Sequence, residues 1–392
     1  MKRSEDRILT THTGSLPRPQ RLAEMMVDRE RGGAVDAAAL RAEVRSAVDD
    51  IVRAQVEAGV DVVNDGEVSK IGYSTYVKER LTGFGGSQTW TSGGGVFPTD
   101  LIDYPGFAQR MMTQAGAADF RMPACTGPIE VADANAVEED IANLKAATQG
   151  AQAEDVFMSA ASPGVIALFL SNTFYPTRET YLEAIARAMK QEYDAIARAG
   201  LVLQLDCPDL AMGRHIQFGN ASLEEFRRNA SMNVEALNYA VADIPPEQLR
   251  MHLCWGNYEG PHHRDVALRD IIDIVLSARP SAISLEGCNP RHGHEWRVFE
   301  GVKLPEGKLL IPGVIDSTNN YIEHPELIAQ RIVQYAQLVG RENVLAGSDC
   351  GFGTFVGYSA VDPAITWAKF RAMADGARLA SEQLWSRQLT AV

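Results

Sequence analysis

Twice in this sequence an amphipathic helical stretch ends in Ala-Gly and passes at once into an apolar run that closes on aspartate. In the first, Leu40, Val44, Val48, Ile51 and Val52 recur at steps of three and four, which predicts a helix from Asp36 to Ala58 that Gly59 terminates. Val60 to Glu67 follows as a strand. In the second, Leu182, Ile185, Met189 and Ile196 mark a helix from Arg178 to Ala199, Gly200 ends it, and Leu201 to Asp206 reads as a strand. A helix that hands over directly to a short apolar strand is the repeating unit of a parallel α/β fold. Further strands are expected at Ile8 to Pro17, Val156 to Ser159, Met251 to Cys254, Ala282 to Glu286, Leu309 to Ile315 and Asn343 to Cys350. Helices near Leu223 to Val241, Val266 to Leu276 and Pro325 to Leu338 separate the later ones. Eight strands in alternation predict a single (β/α)8 TIM-type barrel spanning residues 1–392. A doubly wound open sheet is the alternative, but no G-x-G-x-x-G follows the first strand. The stretch from about 83 to 150 breaks the alternation and carries Gly83-Phe84-Gly85-Gly86, Gly93-Gly94-Gly95 and Thr126-Gly127-Pro128. It reads as a long insertion after the second strand, partly hairpin, of the kind that serves as a lid or a substrate-binding element.

The chemistry-bearing residues fall at strand ends. His252 and Cys254 are two apart in a strand-like run and so share a face. Cys350 closes another strand and Glu286 a third. Imidazole, thiolates and a carboxylate converging from separate strand ends suit a tetrahedral zinc. A His-x-Cys pair alone is weak evidence, because buried cysteine is often mere packing. Cys207 and Cys288 also lie near strand ends, which leaves the ligand set open, whereas Cys125 in the insertion reads as structural. Acidic groups follow other strands: Asp65 and Glu67, Asp206, and Asp316. Singly they read as rim caps; together they favour a polar pocket for a cationic or amino-bearing ligand. The run Asn289 to Trp296 reads as a loop near the site, with Arg291 available for an acidic substrate group, and His262-His263 as a solvated loop.

Composition excludes several classes. There are 37 Lys+Arg against 51 Asp+Glu, a net charge of −14, with no basic cluster, so nucleic acid and anionic membrane are poor partners. No apolar stretch reaches membrane-spanning length and the first residues lack a signal-peptide core, so a cytoplasmic protein is expected. Five scattered cysteines do not form a disulfide framework.

In order along the chain, Thr11-His12-Thr13-Gly14-Ser15, Asp65-Gly66-Glu67, Asp206, His252-x-Cys254, Glu286 and Asp349-Cys350-Gly351 resemble the catalytic barrel of the cobalamin-independent methionine synthase family. The resemblance covers nearly the whole chain. It implies Zn2+ held by His252, Cys254, Glu286 and Cys350. It implies homocysteine bound through Glu67, Asp206 and the Gly14-Ser15 segment, and methyl transfer from a methylated folate to a zinc-bound thiolate. Three departures bear on the methyl donor. The full-length synthase carries a second, N-terminal barrel with no counterpart in this sequence. Thr318 stands where the family has a histidine thought to act as acid, and Cys207 where it has a glutamate. Nor does the region from Pro163 to Phe169 match the family's folate-stacking tryptophan. The acid that protonates the leaving group is then Asp316, His12 or a water. The stretch Cys254 to Pro261 looks like the short-chain members of the superfamily, which include epoxyalkane:coenzyme M transferase, so epoxide opening by a zinc-bound thiolate is the alternative reaction. A zinc or thiol-binding protein without turnover and a metal-free decarboxylase are the remaining classes, the latter disfavoured by the His-x-Cys pair. The expected partners are a small-molecule thiol and an alkyl donor.

Overall fold

The computed structural model describes residues 1–88, 98–114, 122–357 and 359–386. Its centre is one parallel sheet. In chain order the strands are β1 (Val62–Val63), a hairpin pair β2 (Phe84–Gln88) and β3 (Met122–Cys125), then β4 (Asp155–Ala161), β5 (Val202–Asp206), β6 (Leu249–Leu253), β7 (Ala282–Leu285), β8 (Leu309–Ile315) and β9 (Gly347–Ser348). The sheet order is β1-β4-β5-β6-β7-β8-β9, with every pairing parallel. An eighth segment closes it. Thr11 N donates to Ala346 O at 2.8 Å, Ala346 N to Leu9 O at 2.9 Å, and Val62 N to Thr10 O at 3.0 Å. The stretch Leu9–Thr11 therefore joins the two edges, and the expected TIM-type barrel is the fold.

The Ala-Gly signature works as read. The helix Ala37–Glu57 starts on the Asp36 carboxylate, which accepts from the amides of Ala38 and Ala39. The helix Arg178–Arg198 starts on a Thr177/Thr180 capping box. Gly59 and Gly200 each take φ +82°, the left-handed turn that ends a helix and aims the chain into the next strand. The helix expected from Val266 to Leu276 is a 3-10 turn, Leu268–Asp270, and a short helix, Ile272–Leu276. A long final helix, Pro363–Ser386, packs on the helix Pro325–Val339. No helix among the described residues is long and apolar enough to cross a membrane.

The 83–150 stretch divides in two. Its last helix, Asn135–Thr148, packs on Ala37–Glu57 and Arg178–Arg198 and so occupies an ordinary place in the outer helical layer. The departure from barrel geometry is the earlier part: the antiparallel β2–β3 hairpin, the 3-10 turn Thr99–Asp103 and the helix Pro105–Gln114. Gly93-Gly94-Gly95 lies outside the described residues.

The barrel interior is layered. Leu9, Val62, Phe157, Val202, Ala282, Leu309, Ile311 and Leu345 form a buried apolar floor. Arg250 on β6 lies among them, with its guanidinium 4.0 Å from the centre of the Phe157 ring and donating to Thr11 Oγ1 and His12 O. Towards the C-terminal ends of the strands the lining turns polar: Ser159, Gln204, His252, Ser284 and Ser348 are all buried there. At the seam, Asp61 takes both guanidinium nitrogens of Arg7 at 2.8 Å, and the Thr10 amide and hydroxyl at 2.8 and 3.0 Å. Removing a partly buried acceptor with four donors strands those donors. Asp61→Ala is expected to lower unfolding free energy by about 1–3 kcal/mol, read from urea denaturation; an unchanged midpoint would show that the seam does not depend on this carboxylate.

Candidate active site

His252 is the penultimate residue of β6 with Cys254 just past its end, and Cys350 follows β9. Alternation puts His252 inside the barrel, and the turns after β6 and β9 bring the two thiols over it. The ligand atoms of His252, Cys254 and Cys350 all lie within 4.8 Å of one another, and all three residues are buried. His252 Nδ1 is 3.1 Å from Ser284 Oγ, while Nε2 is buried without a hydrogen-bond partner. Burial, reinforced by the Arg250 charge beneath it, pushes the imidazole pKa down to about 3. The ring is therefore neutral, oriented through one nitrogen and open at the other, which is the state of a metal-ligating histidine. The hydrogen bond that the neutral Cys254 thiol makes with Cys350, followed by burial, pushes the Cys254 thiol well above the ordinary thiol range. Two thiols and an orphaned imidazole nitrogen in one buried spot fit a soft divalent cation.

The remaining cysteines stay out of this cluster. Cys207 turns its thiol to Leu205 O at 3.4 Å, and Cys288 donates to Asp349 Oδ2 at 3.4 Å. Cys125 is buried in β3, and all five cysteines are free. Glu286 stands beside the three donors rather than among them. Its Oε1 accepts from Trp255 N and its Oε2 from Asn289 Nδ2, each at 2.7 Å. Burial raises its pKa to about 7.

Two polar side chains hold the loops in place. Asp349 Oδ1 accepts from the amides of Gly287 and Cys288 at 2.8 and 3.0 Å, and Oδ2 from Asn289 N and Nδ2 at 2.9 and 3.0 Å. Asn257 Nδ2 donates to Gly351 O and Thr354 Oγ1 at 2.8 and 2.7 Å, and its Oδ1 accepts from Ser317 at 2.9 Å.

Next to the thiols is the acidic pocket. Glu67 adopts φ +55° and is buried, with Oε2 unpartnered. Ser159 donates to its carboxylate. Asp206 Oδ1 accepts from Gln204 Nε2 at 2.9 Å. Burial raises both carboxyl pKa values; the Glu67 charge raises that of Asp206 further and the Asp65 charge that of Glu67, while Lys70 opposes in both. Gly14 lies against Glu67 and Ser159: a Cβ there would meet Glu67 Oε1 at 2.2 Å and Ser159 Oγ at 2.6 Å. Ser15 Oγ would stand 2.0 Å from a Cβ on Gly351, so the Gly14-Ser15 segment runs between the acidic pair and the Cys350 turn.

Two expected acids lie elsewhere or are engaged. His12 points out of the barrel: its Nε2 pairs with Gln55 on the helix Ala37–Glu57 at 2.8 Å, and its ring sits against Phe157 and Phe370. Burial pushes its pKa down to about 3, so it holds no spare proton at neutral pH. Asp316 Oδ1 accepts from Thr318 N and Oγ1 and Oδ2 from Asn319 Nδ2, all at 2.7 Å, so it organises the turn after β8. Thr318 is that turn's donor. Arg291 is exposed.

Sequence reading missed two groups. His262 is not solvated: with His215 and His292 it surrounds one carboxylate, Asp265, each through a ring nitrogen 3.0 Å from an oxygen. His292 also faces Glu295 at 3.1 Å, stacks on Trp255 at 4.1 Å, and is lifted to a pKa of about 10 by these carboxylates against the pull of burial. Asp100, from the insertion, takes the Tyr258 hydroxyl at 2.7 Å and His262 N at 2.9 Å. The other group is Tyr73, a neighbour of Cys254, Cys350, Asp206 and Asp209. Nothing in its local sequence marks it, because its neighbours come from distant loops.

A family model described as the cobalamin-independent synthase catalytic domain matches residues 8–166 and 169–375. The methionine synthase of Saccharolobus solfataricus is 24% identical over 382 residues, covering 96% of this chain and 95% of that protein. The methionine synthase of Thermococcus kodakarensis is 23% identical over 379 residues, covering 96% and 94%. Among solved structures, a B12-independent methionine synthase from Shewanella sp. W3-18-1 in complex with selenomethionine superposes with TM-score 0.73 at 20% identity, covering 97% of this chain and 99% of that one.

Gly14→Ala forces a methyl into the Glu67 and Ser159 oxygens at a backbone angle, φ +148°, that side chains rarely adopt. The variant is expected to lose at least about 1 kcal/mol of stability by thermal or urea denaturation, and no loss would show that Glu67 is free to swing away.

Proposed function

The chain belongs to the cobalamin-independent synthase catalytic-domain family, and from that premise we propose that it is a zinc-dependent enzyme that transfers a methyl group to the sulfur of an amino-acid thiol such as homocysteine. One juxtaposition carries the reading. His252, whose Nε2 is unpartnered, is grouped with two thiols, and an unpartnered Glu67 oxygen lies in the acidic pocket beside them. The first suits a soft cation; the second suits a ligand's ammonium group.

Zn2+ held by His252, Cys254 and Cys350, with Glu286 as a fourth or exchangeable donor, would supply the positive charge that keeps a thiol deprotonated at neutral pH. The chain's own residues do the rest. Ser284 engages the Nδ1 of His252 and leaves Nε2 without a partner for a metal. Trp255 N and Asn289 hold Glu286 in reserve beside them. Glu67 and Asp206 are buried carboxylates whose mutual repulsion an ammonium relieves, so an amino-acid thiol gains more there than a simple thiol. The Gly14-Ser15 segment is the candidate for the substrate carboxylate. A sulfonate-bearing thiol, as in the epoxide alternative, needs Arg or Lys at that end, and the acidic pair repels it.

Purified protein is expected to carry about one zinc per chain by elemental analysis, and His252→Ala and Cys350→Ser to lose most of it. Full retention in both variants would refute the centre. Glu67→Ala and Asp206→Ala should keep the metal but weaken homocysteine binding by about 1–3 kcal/mol each, the range for a lost charged hydrogen bond. Calorimetric titration decides: parent-like affinity in both variants would make a thiol without an amino group the better substrate.

A further inference from the structure

Three aromatic rings stand at the mouth of the barrel: Tyr73 and Phe355 on the loops that follow β1 and β9, and Phe169 at the end of the helix Pro163–Phe169 that follows β4. Tyr73 lies 5.7 Å from Phe169 and 5.6 Å from Phe355, and Phe169 lies 6.3 Å from Phe355, measured between ring centres. The loops are fastened together. Gly72 pairs antiparallel with Phe355, Tyr73 N donates to Thr354 O at 3.3 Å, and Val356 N to Ile71 O at 3.0 Å. Asn257 ties Gly351 and Thr354 to the loop that begins at Cys254. Within this group Tyr73 lies near both thiols and neighbours Asp206 and Asp209. The chain's own cations nearby are committed. Lys70 donates to Ser159 O and sits 4.7 Å from the Tyr76 ring centre, and Arg18 donates to Gly353 O, Glu67 O and Lys70 O.

The acids are committed too. His12 faces away into the helical layer, and Asp316 has both oxygens accepting from its own turn. His262 and His292 are engaged with Asp265 and Glu295. A donor that departs as an alkoxide or an amide-like anion needs a proton at that moment. A donor that departs neutral needs none.

Resting on the methyl-transfer reading above, we propose that the methyl donor is an onium cation, a sulfonium or quaternary ammonium compound, seated against Tyr73, Phe169 and Phe355 beside the Cys254–Cys350 pair. Aromatic faces and buried carboxylates both attract a diffuse cation that cannot donate hydrogen bonds. The substrate thiolate forms a bond to the methyl carbon. The bond from that carbon to the positive sulfur or nitrogen breaks, and its electron pair stays on the heteroatom, which leaves as a neutral thioether or tertiary amine. The single proton released is the thiol's own and passes to solvent. No group on the protein has to protonate the leaving group, which fits Thr318 at the rim holding Asp316 rather than serving as an acid.

The experiment uses the zinc-loaded full chain. Thioether formation from homocysteine is compared with trimethylsulfonium, tetramethylammonium and methyltetrahydrofolate as donors, and choline and its neutral isostere 3,3-dimethylbutan-1-ol are compared as competing ligands. One or both onium donors should react, the faster identifying the heteroatom, and choline should bind about tenfold more tightly than the isostere, as a desolvated cation–ring contact gives. Tyr73→Leu should erase that preference with zinc content unchanged, and Tyr73→Phe should keep it. Phe355→Leu is the second variant, should Tyr73→Leu not fold. Reaction with methyltetrahydrofolate but neither onium overturns this inference and leaves the methyl-transfer reading intact. Equal binding of choline and its isostere to the parent overturns it as well. Failure of homocysteine to bind or react with any donor overturns both.

Discussion

The Asp349 carboxylate is the tie on which the site depends. It collects three consecutive backbone amides, Gly287, Cys288 and Asn289, together with the Asn289 side chain. Those amides belong to the exit of β7, whereas Asp349 precedes Cys350 at the exit of β9. One buried charge thereby fixes the position of a thiol donor relative to Glu286, whose other oxygen contact, Asn289, is shared with Asp349. A neutral side chain in its place would leave several amides buried and unpaired, a larger cost than the loss of any single contact around the site.

That tie operates at one end of a graded interior. At the N-terminal end, apolar residues from the strands fill the barrel as they would any core. Arg250 is the exception there: its charge is met by oxygens of Thr11 and His12 and by the Phe157 ring, and it adds to the burial that keeps His252 above it from protonating. At the C-terminal end, uncharged hydroxyls and amides, Ser159, Gln204 and Ser284, orient the reactive groups without adding charge of their own. The fold spends its apolar material where nothing reacts and keeps its polar pairs for the mouth.

Much of this was legible in the sequence. The Ala-Gly stops announced where helices yield to strands, and the grouping of His252, Cys254 and Cys350 was legible because strand ends in a parallel barrel all open on one face. The misreading of His12 is instructive, since strand parity was available to prevent it. Leu9 and Thr11 face inward, so His12 must face the helices, where Gln55 meets it. Asp316 looked like a free acid because its partners, Thr318 and Asn319, belong to a turn whose shape the apolar pattern does not encode. His262 looked solvated because Asp100 and His215, which enclose it, lie far away in the chain. Tyr73 was invisible for the same reason: only tertiary closure gives it neighbours.

The seam of the barrel has a consequence for the order in which the molecule is made. Thr13 meets Ser348 across 335 residues of chain, so the first strand has no second neighbour until almost all of the polypeptide has left the ribosome. Contacts of that sequence separation are slow to form and late to be rewarded. Cys350 emerges with the closing strand, so a nascent chain can offer His252 and Cys254 but not the third donor. The proposed metal site would thus be complete only at ring closure, and an ion bound there would act as a clasp on the finished circle, since opening the seam would mean giving up a ligand as well as a few hydrogen bonds.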